Sequence, residues 1–257
     1  MNIYKYFDID FMKKEMISFV GGGGKTSSIF KLAKELKDRN KKVLVTTSTA
    51  IYYPNEGEYD ELIIDKSIDL SDINKDKIKE GSITVIGREV SKENKLLGLS
   101  KESIDEIYNL EVFDYILVEA DGSKRKAIKA PADHEPVIPF NTYKVVGVIG
   151  LDCIKKKINM ENVHRPELFC NITNSKMEEI IDEDKIFKLI INKKGLFKAT
   201  PENCKKYILL NKVEVEERKK IALQIRDLVI KSKFEVMGII ACSIINKNIV
   251  FKWSDKI

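Results

Sequence analysis

Four consecutive glycines followed by a lysine and a threonine form the part of this sequence best suited to chemistry. They lie between an apolar segment, residues 16–20, and a helical pattern. Glycines let backbone N–H groups approach an anion without a Cβ atom in the way, and a helix beginning near Thr26 directs its positive end to the same point. We therefore predict a phosphate-binding loop in which Lys25 reaches the outer phosphates and Thr26 binds Mg²⁺. The residues predicted to hold the nucleotide here are Gly21, Gly22, Gly23, Gly24, Lys25, Thr26 and Ser27.

The spacing of this loop is shorter than the usual G-x-x-x-x-G-K-[ST] pattern. That pattern would need glycine at position 19, where this chain has Phe19. The shorter G-x-x-G-K-T resembles the loops of the Mur ligases and of some other phosphate-loop proteins. The alternative is a glycine-rich turn before a helix capped by Thr26, but four glycines would cost more chain entropy than a turn requires.

Two acidic residues follow a second apolar segment. Residues 115–118 predict a buried strand, and Glu119 and Asp121 come directly after it. A carboxylate at this point of a phosphate-loop protein binds Mg²⁺ or activates water. Both are therefore predicted as catalytic and metal-binding residues, with an Asp-Gly turn as the alternative. Thr47, in a run of four hydroxyl residues after another strand, is predicted to join the metal site.

A basic cluster and both histidines follow predicted strands. His134 is predicted as a general base or metal ligand, with an exposed loop residue as the alternative. The basic cluster could hold a triphosphate or an anionic substrate, or could be a solvated charged surface. Because loops after parallel strands collect at one edge of a sheet, we expect these groups to border one cleft with the glycine loop. The predicted substrate contacts are Lys124, Arg125, Glu135, His164 and Arg165.

A third strand, residues 207–210, ends in a segment that resembles the guanine-reading Asn-Lys-x-Asp element of GTPases. Here the segment reads Asn211, Lys212, Val213, Glu214, with Glu where Asp is usual. Asn211, Lys212 and Glu214 are predicted to contact the nucleotide, and the base stays open between adenine and guanine. The beginning of a helix, with Asn211 as its cap and Glu214 at the third position, is an alternative that does not exclude base contact.

Strand and helix patterns alternate along the chain. Apolar runs separated by amphipathic helical segments indicate a parallel sheet covered on both faces. The predicted fold is a three-layer α/β domain of the P-loop NTPase type. A single domain is expected over residues 1–257, with a possible insertion at about 54–81, where the sequence is polar and poorly patterned. A hairpin is predicted around residues 246–248.

Composition limits the other function classes. The 257 residues are 43% hydrophobic and 33% charged, with a net charge of +5, which is typical of a globular protein. No aromatic residues interleave with the lysine pairs as a nucleic-acid platform would require. No apolar run approaches 18 residues. The N-terminus carries Asp8, Asp10 and Glu15 and has no apolar core segment, so a signal peptide is not expected. Four widely spaced cysteines indicate reduced thiols. We expect a cytoplasmic protein that binds neither nucleic acid nor membrane.

Together these segments resemble the YqeC-type accessory proteins of selenium-dependent hydroxylases, also described as selenium cofactor biosynthesis proteins. The resemblance runs through most of the chain in a consistent order. The most specific pieces are the Ala-Asp-Gly-Ser segment at 120–123 and the segment at 130–139. The other pieces are residues 19–26, 46–49, 163–166 and 210–213. The resemblance implies a role in making or inserting a labile selenium cofactor of molybdenum-containing hydroxylases.

The expected activity follows from the loop together with the resemblance. We expect a protein that binds ATP or GTP with Mg²⁺ and hydrolyses it, with nucleotide state controlling cofactor handover. The expected partners are a selenium-containing intermediate and a molybdenum hydroxylase or its maturation proteins. Two alternatives stay open: a Mur-like ATP-dependent small-molecule kinase or ligase, and a non-enzymatic nucleotide-gated scaffold.

Overall fold

A computed structural model describes residues 2–66, 73, 78–246 and 248–254. The strands in this part of the chain are β1 Glu15–Gly21, β2 Lys42–Thr47, β3 Ala50–Tyr52, β4 Glu61–Ile64, β5 Ser82–Gly87, β6 Glu89–Val90, β7 Lys95–Leu97, β8 Tyr115–Glu119, β9 Ile128–Lys129, β10 Lys144–Gly150, β11 Val163–His164, β12 Lys205–Asn211, β13 Gly238–Ser243 and β14 Asn248–Ser254. The α-helices are α1 Lys25–Lys37, α2 Lys101–Asn109, α3 Pro166–Thr173, α4 Glu183–Ile191 and α5 Glu216–Lys231.

Nine of these strands form the central sheet. Their order is β14-β13-β12-β10-β1-β8-β2-β5-β4. All neighbouring pairs are parallel except β13 and β14, which are antiparallel. Because β1 is central, the loop after it lies among the carboxyl ends of several parallel strands, where open α/β sheets bind ligands.

Alternate residues of β1 face two different helical layers. Ile17 and Phe19 pack in one core cluster with α1 and the N-terminal segment. Met16 and Val20 face the other side, where the core continues into α2 and into α3, α4 and α5. The predicted three-layer α/β fold with a mostly parallel sheet is confirmed.

The helix after the glycine loop follows the predicted apolar spacing. Ile29, Leu32, Ala33 and Leu36 are all buried in α1. The helix begins at Lys25, so its first turn includes the lysine and threonine of the loop. Since the first N–H groups of a helix have no intrahelical partner, this start point decides which donors face a ligand.

Several elements differ from the sequence-based prediction. Residues 166–173 form α3, a helix that the sequence patterns did not predict, with Pro166 at its first turn, where proline is tolerated. β3, β7 and β6 form a small separate sheet that the short polar sequence did not reveal. The predicted hairpin is formed by β13 and β14, with Ser243 opposite Asn248. Residue 247 of its turn lies outside the described residues, as do 67–72 and 74–77 of the expected insertion.

The wide spacing of the cysteines predicted reduced thiols, and no disulfide joins them. Cys153, Cys170, Cys204 and Cys242 are free thiols, and three of them are buried. In the part of the chain that the structure describes, no helix combines the length and apolar character needed to cross a membrane.

Candidate phosphate-binding site

The positive end of α1 opens onto a cavity of about 920 Å³. The N-cap residue is Gly24, and no side chain caps the helix. Ser28 N donates to Gly24 O as the first intrahelical hydrogen bond. The N–H groups of Gly24, Lys25, Thr26 and Ser27 are therefore the orphan donors of this helix, and all four residues line the cavity.

The first three glycine N–H groups are used within the protein. Gly21 N donates to Asp121 Oδ2 at 3.0 Å. Gly22 N and Gly23 N donate to the carbonyl oxygens of Val148 and Lys126 at 2.9 and 3.0 Å. The prediction that the N–H groups of Gly21, Gly22 and Gly23 hold phosphate is therefore wrong in its geometry, because all three donors are already engaged. They shape the loop, and the donors left for an anion belong to Gly24 and the first turn of α1.

Close packing explains why this loop needs glycines. A Cβ atom on Gly23, whose φ is +82°, would lie 2.2 Å from Gly150 N. A Cβ atom on Gly24, whose φ is +129°, would lie 2.4 Å from Asn211 Nδ2. Side chains are excluded there by both conformation and contact. The loop is thus held against β10 and β12 in one shape.

Lys25 lies between two buried carboxylates at the head of the cavity. Its Nζ is 3.0 Å from Asp121 Oδ1 and 3.6 Å from Glu119 Oε1, and it donates to Gly21 O at 2.6 Å. Burial alone would lower the pKa of Lys25, but the carboxylates of Asp121 and Glu119 outweigh burial and raise it. Lys25 is therefore held as a cation at the point where the helix N-terminus also favours negative charge.

The structure separates the two carboxylates that the sequence could not rank. Glu119 lines the cavity, and its Oε2 accepts a 2.6 Å hydrogen bond from Thr26 Oγ1. Asp121 is 2% exposed, and the residues lining the cavity do not include it. Asp121 contacts Lys25, Lys129 and Gly21 N, so it positions the loop. Of the two, Glu119 is the carboxylate placed to act on a ligand.

The residues beside Glu119 fit a magnesium ion. A hydroxyl and a carboxylate are hard oxygen donors, which Mg²⁺ prefers, and protein sites usually supply only one or two of its ligands. Thr26 and Glu119 provide such a pair. Thr47 does not, because its hydroxyl is buried and donates to Glu119 O at 2.7 Å. The predicted contact of Thr47 with the metal is therefore wrong. Of the hydroxyl residues in this run, Thr49 lines the cavity.

A chain of alternating charges runs from the loop to the far wall of the cavity. Lys129, 1% exposed, lies 3.1 Å from Asp121 Oδ2 and 2.5 Å from Glu135 Oε2. Arg165 Nη1 contacts the same Glu135 oxygen at 2.5 Å. Burial would raise the pKa of Glu135, but Arg165 and Lys129 outweigh burial and hold it at about 2. Glu135 and Arg165 line the cavity, as predicted for a shared cleft.

The two histidines lie in different environments. His164, on β11, lines the cavity and is half-buried. Burial and the cations Arg165 and Lys129 lower its pKa to about 4, so its imidazole is neutral at pH 7. His134 is exposed and is not among the cavity-lining residues. The expectation that it borders the cleft is wrong, since only the next residue, Glu135, turns inward.

The Asn-Lys segment after β12 is partly at the site. Asn211 Nδ2 donates to Gly23 O at 2.9 Å, and Asn211 Oδ1 accepts from Ile244 N, so Asn211 braces the loop. Lys212 lines the cavity and pairs with Asp152 at 2.9 Å. Glu214 is not among the lining residues; Ser243 Oγ donates to it at 2.7 Å. The cap alternative is also wrong, because α5 begins after Val215.

The cavity gathers most of the predicted site residues in about 920 Å³. Lys124 and Arg125 belong to it, together with Lys25, Thr26, Glu119 and His164. Sequence reasoning missed Tyr52, which lies on the short strand β3, and the buried position of Lys129. Lys129 follows an apolar residue in a two-residue strand, a signal too short to separate it from the solvated lysines nearby.

Comparison with known proteins places the chain among relatives of one family. The family described as YqeC protein matches residues 17–167. The uncharacterized protein YqeC of Escherichia coli is 31% identical over 202 residues, covering 77% of this chain and 75% of the relative. The crystal structure of FtsY from Mycoplasma mycoides is 14% identical with a TM-score of 0.39, covering 91% of this chain and 62% of that one. The likeness to FtsY is too low to assign a fold or a function.

Proposed function

This chain belongs to the YqeC family, and on that premise we propose that it binds a nucleoside triphosphate with Mg²⁺ and hydrolyses it. One observation carries the proposal. The uncapped N-terminus of α1, the cationic Lys25 and the Thr26–Glu119 oxygen pair all meet at one end of the same cavity. Orphan N–H groups and a buried lysine suit phosphate oxygens.

Different groups of the loop contact different parts of the nucleotide. The N–H groups of the first turn of α1 donate to phosphate oxygens, and Lys25 turns its ammonium from Asp121 towards the outer phosphates. Neutralising charge on the phosphates is the chemistry that Mg²⁺ supplies when bound. Glu119 orients the Thr26 hydroxyl and is the group placed to accept a proton from an attacking water.

Asn211 and Asp121 act as positioning residues. Asn211 fixes the carbonyl of Gly23, and Asp121 fixes the N–H of Gly21, so the loop is held at both ends before a ligand arrives. A site organised in advance loses less conformational entropy on binding. The base stays open between adenine and guanine, since Glu214 is bound to Ser243 away from the cavity lining.

For the cellular role we propose maturation of a selenium-containing cofactor of molybdenum hydroxylases in the cytoplasm. The support is the set of motifs shared with the YqeC-type proteins, above all residues 120–123 and 130–139. Two of these residues, Asp121 and Glu135, form the buried charge chain of the site together with Lys129. Deleting the gene should lower the selenium content of a purified hydroxylase, measured by mass spectrometry, and wild-type protein should restore it where Lys25→Ala does not.

Calorimetric titration with Mg²⁺-ATP and Mg²⁺-GTP tests the binding proposal. Lys25→Ala should cost about 2–3 kcal/mol of nucleotide affinity, because a charge-assisted contact in a buried site is lost. Lys34→Ala is the matched control, since Lys34 is exposed on the same helix. Equal affinity in the wild type and in Lys25→Ala would refute the assignment of the loop.

Product analysis separates hydrolysis from the alternatives. Stoichiometric phosphate release supports the NTPase. A phosphorylated or adenylated small molecule would favour a kinase or ligase, for which the wide cavity beyond the loop leaves room. Tight binding with no turnover would favour a nucleotide-gated scaffold.

A further inference from the structure

Two adjacent basic residues at the cavity have a backbone conformation that such residues rarely adopt. Lys124 and Arg125 have φ values of +47° and +61°, and Lys126 N donates to Ser123 O at 2.9 Å. Positive φ at both central residues is the signature of a type I′ turn, which strongly favours Asn-Gly or Gly-Gly. A Lys-Arg pair in this turn is strained, and strain of this kind clusters at ligand sites.

The turn is fastened to the phosphate loop. Lys126 O accepts the hydrogen bond from Gly23 N at 3.0 Å, and Lys126 Nζ donates to Glu161 O at 2.5 Å. The conformation of the turn therefore sets where Lys124 and Arg125 lie relative to the end of α1. Both residues are exposed and line the cavity.

The cations of the turn lie beside an aromatic ring. The Arg125 guanidinium is 3.8 Å from the ring centre of Tyr52, and Lys95 Nζ is 5.8 Å from it. Among the described residues, Lys95, Lys124 and Arg125 form no ion pair with a carboxylate, whereas Lys25, Arg165 and Lys212 all do. The wall around Tyr52 thus carries three cations that form no ion pair within the described part of the chain.

We propose that the Lys124–Arg125 turn, with Tyr52 and Lys95, binds the oxyanion group of a second small molecule while the nucleotide occupies the phosphate loop. The proposal rests on the proposed function and names its second ligand as a phosphate- or carboxylate-bearing compound. Guanidinium and ammonium groups suit both anions. The Arg125 guanidinium lies over the ring of Tyr52, and this contact restricts where its donors can lie before binding.

The test is a titration of inorganic phosphate, and separately of succinate, into protein saturated with Mg²⁺ and a non-hydrolysable triphosphate analogue. Binding is followed by isothermal titration calorimetry at constant ionic strength. Lys124→Gln/Arg125→Gln should weaken binding of the preferred anion at least about tenfold, as expected when charge-assisted contacts are lost. Lys193→Gln/Lys194→Gln removes the same charge from an exposed pair and should change the affinity less than about twofold.

The nucleotide affinity of the same variants decides what the turn binds. Unchanged nucleotide affinity with lost anion binding supports the second site. Equal anion binding in the wild type and in the turn variant overturns it, as does a parallel loss of nucleotide affinity, which would assign the turn to the nucleotide. If the wild type binds no nucleotide, the proposed function fails. A phosphate titration of Lys25→Ala, which lacks the cation of the loop, then still measures anion binding at the Lys124–Arg125 turn.

A second variant tests the strain separately. Lys124→Asn/Arg125→Gly supplies the residues that a type I′ turn prefers. It should raise Tm by about 2–4 °C and abolish anion binding, a stability gain at the expense of function. A lower Tm with anion binding retained would contradict both the strain and the site.

Discussion

Replacing the buried Lys129 with methionine should destabilise the folded protein by about 3 kcal/mol. Lys129 is 1% exposed and lies between Asp121 and Glu135. Methionine fills most of the volume of the lysine stem, so the loss comes from charge. Removing one partner of a buried ion pair costs about 3–5 kcal/mol. We expect the lower end because Asp121 keeps Lys25 at 3.0 Å and Glu135 keeps Arg165 at 2.5 Å.

Urea unfolding at pH 7 measures this free energy. The corresponding fall in Tm is about 6–12 °C. Lys220→Met, on the exposed face of α5, is the matched control and should stay within about 0.5 kcal/mol of the wild type. Adding Glu135→Gln to Lys129→Met should recover part of the loss, since one uncompensated carboxylate is removed. A loss below about 1 kcal/mol for Lys129→Met would refute the buried charge chain as a structural element.

Three further predictions follow from the site. Glu119→Gln should raise the Mg²⁺ concentration needed for half-maximal turnover about 10–100-fold. Asp121→Asn should chiefly lower the free energy of unfolding. The reverse pattern would return the metal role to Asp121. His164 should titrate near pH 4 by NMR, with the His134→Asn variant used to assign the two histidine signals. Because this pKa lies below the ordinary 6.5, the contribution of His164 to stability is present above pH 6.5 and is lost as the pH falls towards 4. Titration near 6.5 would contradict the buried cationic surroundings. Gly23→Ala should cost at least about 2 kcal/mol, while Gly122→Ala, where a Cβ meets nothing within 4 Å, should be nearly neutral; equal effects would contradict the loop packing.

The sheet and the glycine loop before α1 could be predicted from the sequence because their signals are local. Apolar runs such as 115–118 and the spacing of Ile29, Leu32 and Leu36 determine strands and helices from neighbouring residues alone. The helix start at Lys25 was placed within about one residue for the same reason, within the usual uncertainty of boundaries.

The rest of the site depends on contacts between distant segments. Asp121 and Glu119 are two residues apart, yet Asp121 forms an ion pair with Lys129 while Glu119 faces the cavity. No local pattern contains the partner that makes this difference. His134 and Glu135 are adjacent, but only Glu135 turns inward, because Lys129 and Arg165 form ion pairs with it. These two partners are also distant from each other in sequence.

The crystal structure of the protein with Mg²⁺ and a non-hydrolysable nucleoside triphosphate tests the central claim most directly. We expect phosphate oxygens within hydrogen-bond distance of the N–H groups of Gly24, Lys25 and Thr26, with Lys25 Nζ moved from Asp121 to the phosphates and the metal beside Thr26 Oγ1. A nucleotide bound elsewhere, with Lys25 still paired to Asp121, would contradict the account.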